Sequence, residues 1–308
     1  LPKRVFSHGW WVVNHQKMSK SIGNVVTPQD LLSLCDHNNI DYVRYYLCSE
    51  MPLGNDGNYD ADSFINKNNS VLVNGLGNLI QRSNKMIHKY CNSRIPLVNI
   101  STSVNASVVP VPVDTNTNTD ESGGESSCSC SCTVLGSPLI ERDFELLEAC
   151  VSSEVVIKDQ LSQQQLYQIC ESINQLIKHG NKYFDAEAPW KLVNNNDNGK
   201  TEQENMERLY TVLLVITEFI RRLNILISPL VPESSKKIVQ LYNFDGISSM
   251  SEINNNICSI MGLEINEAIA IFPRIDRKLL VNTTGTGTGT GKVVKNKNKK
   301  SKQKEKVK

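Results

Sequence analysis

Between Glu204 and Ile227 the chain is apolar on nearly every side of a helix. Leu209, Val212, Leu213, Val215, Ile216, Phe219, Ile220 and Leu223 leave almost no polar face, and such a helix is stable only where neighbours cover it all round. It must therefore lie at the centre of its domain, and other helices with matching stripes have to surround it. From Asp60 onward, Val71, Leu72, Gly75, Leu76, Leu79, Ile80, Ser83, Met86, Ile87 and Tyr90 fall at i, i+3, i+4 positions and predict one long amphipathic helix. A second helical region is expected over about Leu139 to Tyr183, its later part marked by Leu166, Ile169, Ile173, Leu176, Ile177 and Gly180. A last helix follows Pro229 and Pro232, near Glu233 to Tyr242. Nothing between residues 60 and 272 alternates with the period of two that a sheet requires, so an antiparallel α-helical bundle is the simplest solution.

The first 26 residues have another character. Short β-prone runs (Val5-Phe6, Trp10 to Val13, Ile22, Val25-Val26) are broken by Gly9, Asn14 and Gly23, which suits strand, loop, strand at the edge of an α/β domain. Thr27-Pro28-Gln29-Asp30 then reads as a helix start: Thr27 can cap, Pro28 fits the first helical position, and Asp30 complements the helix dipole. The chain is thus expected to be mainly α, with an α/β remnant at 1–59, a helical domain at 60–276 and a tail at 277–308. Three segments look unfolded: 97–138, rich in Ser, Thr, Asn, Val and Pro, the Thr-Gly repeat at 283–291, and the lysine run at 292–308. The first interrupts the bundle, which is tolerable because loop-closure cost grows only logarithmically with length.

Of 308 residues, 39% are apolar, enough for a helical core. No apolar run approaches the roughly 18 residues that would span a bilayer, and Leu1-Pro2-Lys3-Arg4 has no signal-peptide character. The net charge is +1, yet Lys292 to Lys308 holds nine lysines and one glutamate, a local +8 that leaves about −7 for everything upstream. Any RNA-binding surface must then be local. Nine cysteines, six of them scattered singly through apolar segments (Cys35, Cys48, Cys91, Cys150, Cys170, Cys258), suggest a reducing compartment. Cys128, Cys130 and Cys132 cluster, but they supply only three ligands, with no histidine nearby and no C-x-x-C spacing; cysteines in a linker are preferred over a zinc site.

Lys17-Met18-Ser19-Lys20-Ser21 is the strongest chemical signal, since a specified pentapeptide arises by chance in such a chain with odds on the order of 1 in 10⁴. It resembles the KMSKS signature of class I aminoacyl-tRNA synthetases. Its surroundings are similar to methionyl-tRNA synthetases in particular: His8-Gly9-Trp10-Trp11 before it, and Gly23-Asn24-Val25 with Pro28 after it. Arg44-Tyr45-Tyr46-Leu47 with Glu50 and Pro52, Asn74 to Leu79 with Arg82, and the run Asn181, Tyr183, Pro189, Trp190 follow in the order that family shows. The likeness covers roughly 5–95 and 140–275. It implies the end of a Rossmann-like class I catalytic domain followed by a helical anticodon-binding domain, and an ATP-dependent methionine-tRNA ligase whose partners are methionine, ATP with Mg²⁺, and tRNA(Met).

The loop suits that chemistry. When a carboxylate attacks the ATP α-phosphate, negative charge shifts onto the departing pyrophosphate. Two lysines on a small Ser-Gly loop can swing onto it as movable point charges, with serine hydroxyls and loop N–H groups completing an anion cradle. The resemblance makes Lys20 the principal transition-state stabiliser and Lys17 its helper, with His8, Gly9, Lys17, Met18, Ser19, Lys20 and Ser21 facing ATP. For His8 a polar strand-end role stands equally open.

Anticodon bases are unstacked, so they are read by stacking and by hydrogen bonds to exposed edges. The positions matching the family's anticodon contacts are Asn78, Arg82 and Trp190. Asn78 and Arg82 are four apart and share a helix face. Trp190 could instead be a core anchor, and Asn78 a local hydrogen-bonding residue.

The family's HIGH-type histidine pair, methionine pocket and cysteine knuckle for zinc are not found, so the chain is expected to be a fragment that does not activate methionine alone. The tail does not resemble the dimerising or RNA-binding appendages of some relatives, and a monomer is expected. The motif form looks bacterial or organellar while the Asn-, Ser- and Thr-rich inserts look eukaryotic, which together suggest the mitochondrial matrix, with the cytoplasm as alternative. Two other readings compete: a non-catalytic tRNA-binding module, and a basic-tailed helical scaffold.

Overall fold

The computed structural model describes residues 1–3, 5, 7–35, 39–98, 136–193, 201–244, 253, 257–267 and 269–276. The cysteine cluster at 128–132, most of the 97–138 insertion and the 277–308 tail lie outside these.

The front of the chain forms a small three-stranded sheet in the order β2-β1-β3. Strands β1 (Trp11–Val13) and β2 (Gln16–Lys17) are antiparallel, with Val12 opposite Lys17. Asn14 and His15, both at positive φ, turn the chain between them, the conformation that matches strand twist in a two-residue hairpin. Strand β3 (Gly57–Tyr59) adds in parallel on the other side of β1. The sheet departs from the expected pattern: Ile22 lies in a turn and Val25-Val26 in no strand, and the second strand ends on Lys17 itself. The third comes from some forty residues downstream.

Helix α1 (Pro28–Ser33) begins as its sequence dictates. Thr27 caps it: the Asp30 amide donates to the Thr27 hydroxyl, and the Thr27 amide donates back to the Asp30 carboxylate at 2.7 Å. Helix α2 (Ile40–Glu50) follows, burying Tyr42, Tyr45 and Tyr46. The Asp41 carboxylate accepts from the amide of Ser234 at 2.6 Å, capping a distant helix start. The Arg44 guanidinium donates to the carbonyls of Pro229 (2.7 Å) and Leu230 (3.3 Å). The loop-bearing front is thereby tied to the back of the bundle.

The long helix expected from Asp60 is continuous but not uniform. Helix α3 (Ala61–Asn68) passes into a π-helical stretch, Asn69–Gly77, and then into α4 (Asn78–Tyr90). Gly75 is needed there because a side chain would meet Ile177 at 2.9 Å. The region expected as one helix from 139 to 183 is two, α5 (Glu141–Ser162) and α6 (Leu166–Glu187), broken at Gln164 with φ of 60°. A single-turn helix α7 (Pro189–Leu192), α8 (Glu202–Ile227) and α9 (Pro232–Tyr242) follow, and a 3-10 turn at Ile257–Ile260 is the last of the described helical segments. As the sequence requires, α8 is central: Leu209, Val212 to Ile216, Phe219, Ile220 and Leu223 are fully buried.

The insertion leaves and rejoins the bundle at one place. Val98 and Gly136 form a parallel bridge, and the Thr211 hydroxyl of α8 donates to the Ser137 carbonyl at 2.6 Å. No described helix is long and apolar enough to cross a membrane.

Candidate functional site

Lys17 closes β2, and the residues after it turn back on themselves instead of continuing the ladder. Asn24 enforces this: its side-chain oxygen accepts from the Ser19 amide at 2.8 Å while its side-chain N–H donates to the Lys17 carbonyl at 3.2 Å. Gly23, at φ of +74°, donates its amide to the Ser19 carbonyl at 3.0 Å and makes the turn possible. The hydroxyls of Ser19 and Ser21 are 2.8 Å apart. The result is a small loop with a fixed backbone. Lys17, Lys20 and Ser21 are exposed on it, and among the described residues no carboxylate pairs with either lysine. Such an arrangement leaves two ammonium groups unneutralised by a carboxylate, as a site for a polyanion needs.

His8 and Gly9 precede β1. His8 is exposed, and its Nδ1 lies 2.7 Å from the Gly9 carbonyl. Gly9 has a clear steric reason: a Cβ there would fall 2.0 Å from the Asn55 carbonyl oxygen. The backbone can pass the turn before β3 only as glycine.

The second constellation lies on the bundle. Asn78 opens α4 and Arg82 sits one turn later, so both lie on the same face. Asn78 is exposed, and among the described residues its amide side chain makes no hydrogen bond. The Arg82 guanidinium donates to Asp185 at 2.8 Å. It also covers two rings, 5.0 Å from the centre of Phe184 and 4.9 Å from that of Trp190. Phe184 and Trp190 meet edge to face at 6.0 Å. Phe184 is fully buried whereas Trp190 keeps 37% of its surface exposed, so Phe184 is the core anchor and Trp190 presents a face outward. Arg82 and Trp190 come together from separate helices; Asn78 is their neighbour along α4.

Phe184 and Asp185 were not among the residues singled out from sequence, although both lie between Tyr183 and Trp190. Other members of that run are structural. Asn181 donates to the carbonyls of Gly75 (3.2 Å) and Ile177 (2.9 Å), tying α6 to the π-helical stretch. The Tyr183 hydroxyl donates to Asp143 at 2.7 Å. Asp143 in turn accepts two bonds from Arg208 at 2.6 and 2.8 Å, and Arg208 also binds Glu187. Burial and the adjacent Asp143 carboxylate push the Tyr183 hydroxyl well above its ordinary range. This buried network sets the position of the α6–α7 corner from which Trp190 projects.

Comparison with known proteins follows the same outline. The family model for class I tRNA synthetases (M) matches residues 1–84. The chain is 32% identical over 276 residues to a methionine–tRNA ligase of Clostridium tetani, covering 90% of this chain and 35% of that protein. It is 32% identical over 241 residues to a methionine–tRNA ligase of Mesorhizobium japonicum, covering 78% of this chain and 37% of that protein. A Mycobacterium tuberculosis methionyl-tRNA synthetase structure, in complex with methionyl-adenylate, superposes with a TM-score of 0.65 at 27% identity, over 89% of this chain and 45% of that one. The chain thus spans little more than a third of the length of the curated relatives it matches. The KMSKS loop, the helical bundle and these relatives agree, and the chain is homologous to part of the class I methionyl-tRNA synthetases, at 32% identity over 90% of its own length.

Proposed function

We propose that this chain supplies two parts of a methionine–tRNA ligase: the loop that closes on ATP during methionine activation, and the bundle that reads the anticodon of tRNA(Met). The observation that carries the first part is the Asn24-braced loop, with Lys17 and Lys20 exposed and unpaired by carboxylates among the described residues. As charge moves to the leaving pyrophosphate, Lys20 provides the principal stabilisation and Lys17 assists. His8 and Gly9, next to the sheet, form part of the wall for the nucleotide, while Met18, Ser19 and Ser21 complete the cradle. ATP enters as its Mg²⁺ complex, the metal being part of the substrate. On the bundle, Asn78 and Arg82 address base edges and Trp190 stacks.

In this reading the methionine pocket and the remaining catalytic groups belong to the upstream part that full-length relatives carry. Activity is therefore measured in the full-length enzyme containing this segment. There, Lys20→Ala lowers adenylate formation by about 10²–10³-fold while tRNA(Met) affinity changes little. Unchanged activation would instead favour a non-catalytic tRNA-binding module. The monomeric state and a mitochondrial matrix location belong to the same proposal, the latter supported by the bacterial-type relatives combined with Asn-, Ser- and Thr-rich inserts. Imaging of the tagged full-length protein tests it, and exclusively cytosolic signal rejects it.

A further inference from the structure

We infer that Trp10 is a positioning residue that parks the Lys17 ammonium beside the active-site loop until a nucleotide triphosphate draws it away. The inference rests on the reading of residues 17–21 as the triphosphate clamp.

The hairpin register brings the two residues together. Val12 faces Lys17 across β1 and β2, and Trp10 lies two residues before Val12, hence on the same face and diagonal to Lys17, within reach of an aromatic ring and a long side chain. The ammonium sits over the Trp10 ring, 4.6 Å from its centre. The ring's mount is rigid. The Trp10 amide donates to the Asp56 carboxylate at 2.7 Å, and its carbonyl accepts from the Gly57 amide at 2.8 Å. Gly9, immediately before it, is wedged against the Asn55 backbone. Lys17 is also fixed at its backbone, through β2 pairing and the Asn24 side chain. Only the lysine side chain remains free to swing.

Trp10 itself has no core role that would explain a large ring here, because 65% of its surface is exposed, whereas its neighbour Trp11 packs against Tyr46. The chemistry of the partner matters. An aromatic face holds an ammonium weakly and carries no net charge. A carboxylate at this position would hold Lys17 more firmly and would also repel an incoming triphosphate. The ring therefore keeps the cation pre-placed and desolvated on one side, yet yields it to a stronger anion. While parked, Lys17 is unavailable to ATP, so the contact opposes nucleotide binding by its own strength.

That gives the test an unusual sign. In the full-length enzyme, Trp10→Leu lowers the KM for ATP in ATP–pyrophosphate exchange by about two- to five-fold, the size of an exposed cation–π contact. The gain is confined to KM, because a contact made only in the unliganded enzyme affects bound ground state and transition state alike. Trp10→Phe, which keeps a ring with a weaker hold on cations, falls between. In a Lys17→Met background, Trp10→Leu leaves KM unchanged. A merely structural role for Trp10 would raise KM and lower kcat, and that result overturns the proposal, as does a fall in KM that persists without Lys17. If Lys17→Met alone leaves both the KM for ATP and kcat untouched, the triphosphate-clamp reading itself fails, and the parking role falls with it; if it lowers kcat but not KM, the clamp reading stands and the parking role alone is overturned.

Discussion

The Arg82 guanidinium is held between a carboxylate and two rings: Asp185 at 2.8 Å, Phe184 at 5.0 Å and Trp190 at 4.9 Å. An arginine in this setting has its planar fork aimed by its neighbours before any ligand arrives, which lowers the entropy lost on binding. Trp190 is covered by Arg82 and keeps 37% of its surface exposed, and an unstacked base is expected to add to that exposed part. Trp190→Ala should weaken tRNA(Met) binding by about tenfold or more, the worth of one base stack, with ATP–pyrophosphate exchange unaltered. Trp190→Phe should recover most of it. Filter binding with cognate and unrelated tRNAs decides the matter, since equal loss for all tRNAs would mean that Trp190 only shapes the corner.

Asn24 braces the KMSKS loop without carrying charge. Its one amide satisfies the Ser19 N–H and the Lys17 carbonyl together, so removing it frees the loop on both sides of Met18. Asn24→Ala should reduce kcat for adenylate formation by roughly 10–100-fold, as displacements of about 1 Å do at reacting centres, while global stability falls by no more than about 1 kcal/mol for partly exposed hydrogen bonds. Asn24→Asp keeps the acceptor but loses the donor and should lie between. Activity equal to wild type in both variants would show that the brace does not matter.

The Asp143–Arg208–Glu187 network is a stability element placed under the α6–α7 corner. Asp143 is fully buried and its two oxygens both accept from Arg208. Arg208→Met leaves that carboxylate buried with, among the described residues, the Tyr183 hydroxyl and the Ile140 amide as donors, a loss expected to cost about 3–5 kcal/mol. Urea denaturation measures it. The double variant Arg208→Met with Asp143→Leu removes the stranded charge and should recover a large part of that stability; a double variant no more stable than the single would contradict this account.

Helix α8 could be located from residues alone because apolar side chains on every side admit one solution. The α1 cap was equally legible, since Thr27, Pro28 and Asp30 act within one turn. The π-helical stretch was not: Leu72 and Leu76, four apart, fit α and π spacing alike, and the stretch is stabilised from outside by Asn181. Nor was the break between α5 and α6, which falls on Gln163 to Gln165 with no glycine or proline to mark it. In the sheet, β1 falls where the Trp10 to Val13 run predicts it, whereas β3 pairs from 57–59, a contact that local pattern cannot reveal. At the sites, the lysines, Arg82 and Trp190 were legible as motifs. Asn24 stood among the motif residues without its bracing role, and the supports Phe184 and Asp185 were not legible at all, because what marks them is a three-dimensional contact.

The buried thiol of Cys150 makes a last prediction about alkaline stability. Cys150 is fully buried in α5, and loss of hydration pushes its pKa from the ordinary thiol value up to about 12, against the pull of Arg222. In the unfolded chain the same thiol ionises near 8.5. Between these values the unfolded state releases a proton that the folded state keeps, so rising pH favours unfolding. The contribution is fully present below about pH 8.5 and is lost as pH climbs toward 12, at up to about 1.4 kcal/mol per pH unit. Cys150→Ala carries a constant cavity cost but no titrating group, so its unfolding free energy from urea titrations at pH 8, 9 and 10 should decline less steeply than that of the parent protein. Parallel slopes for the two proteins would mean that solvent reaches the thiol in the folded state, and that the α5–α8 interface around Cys150 is looser than its complete burial implies.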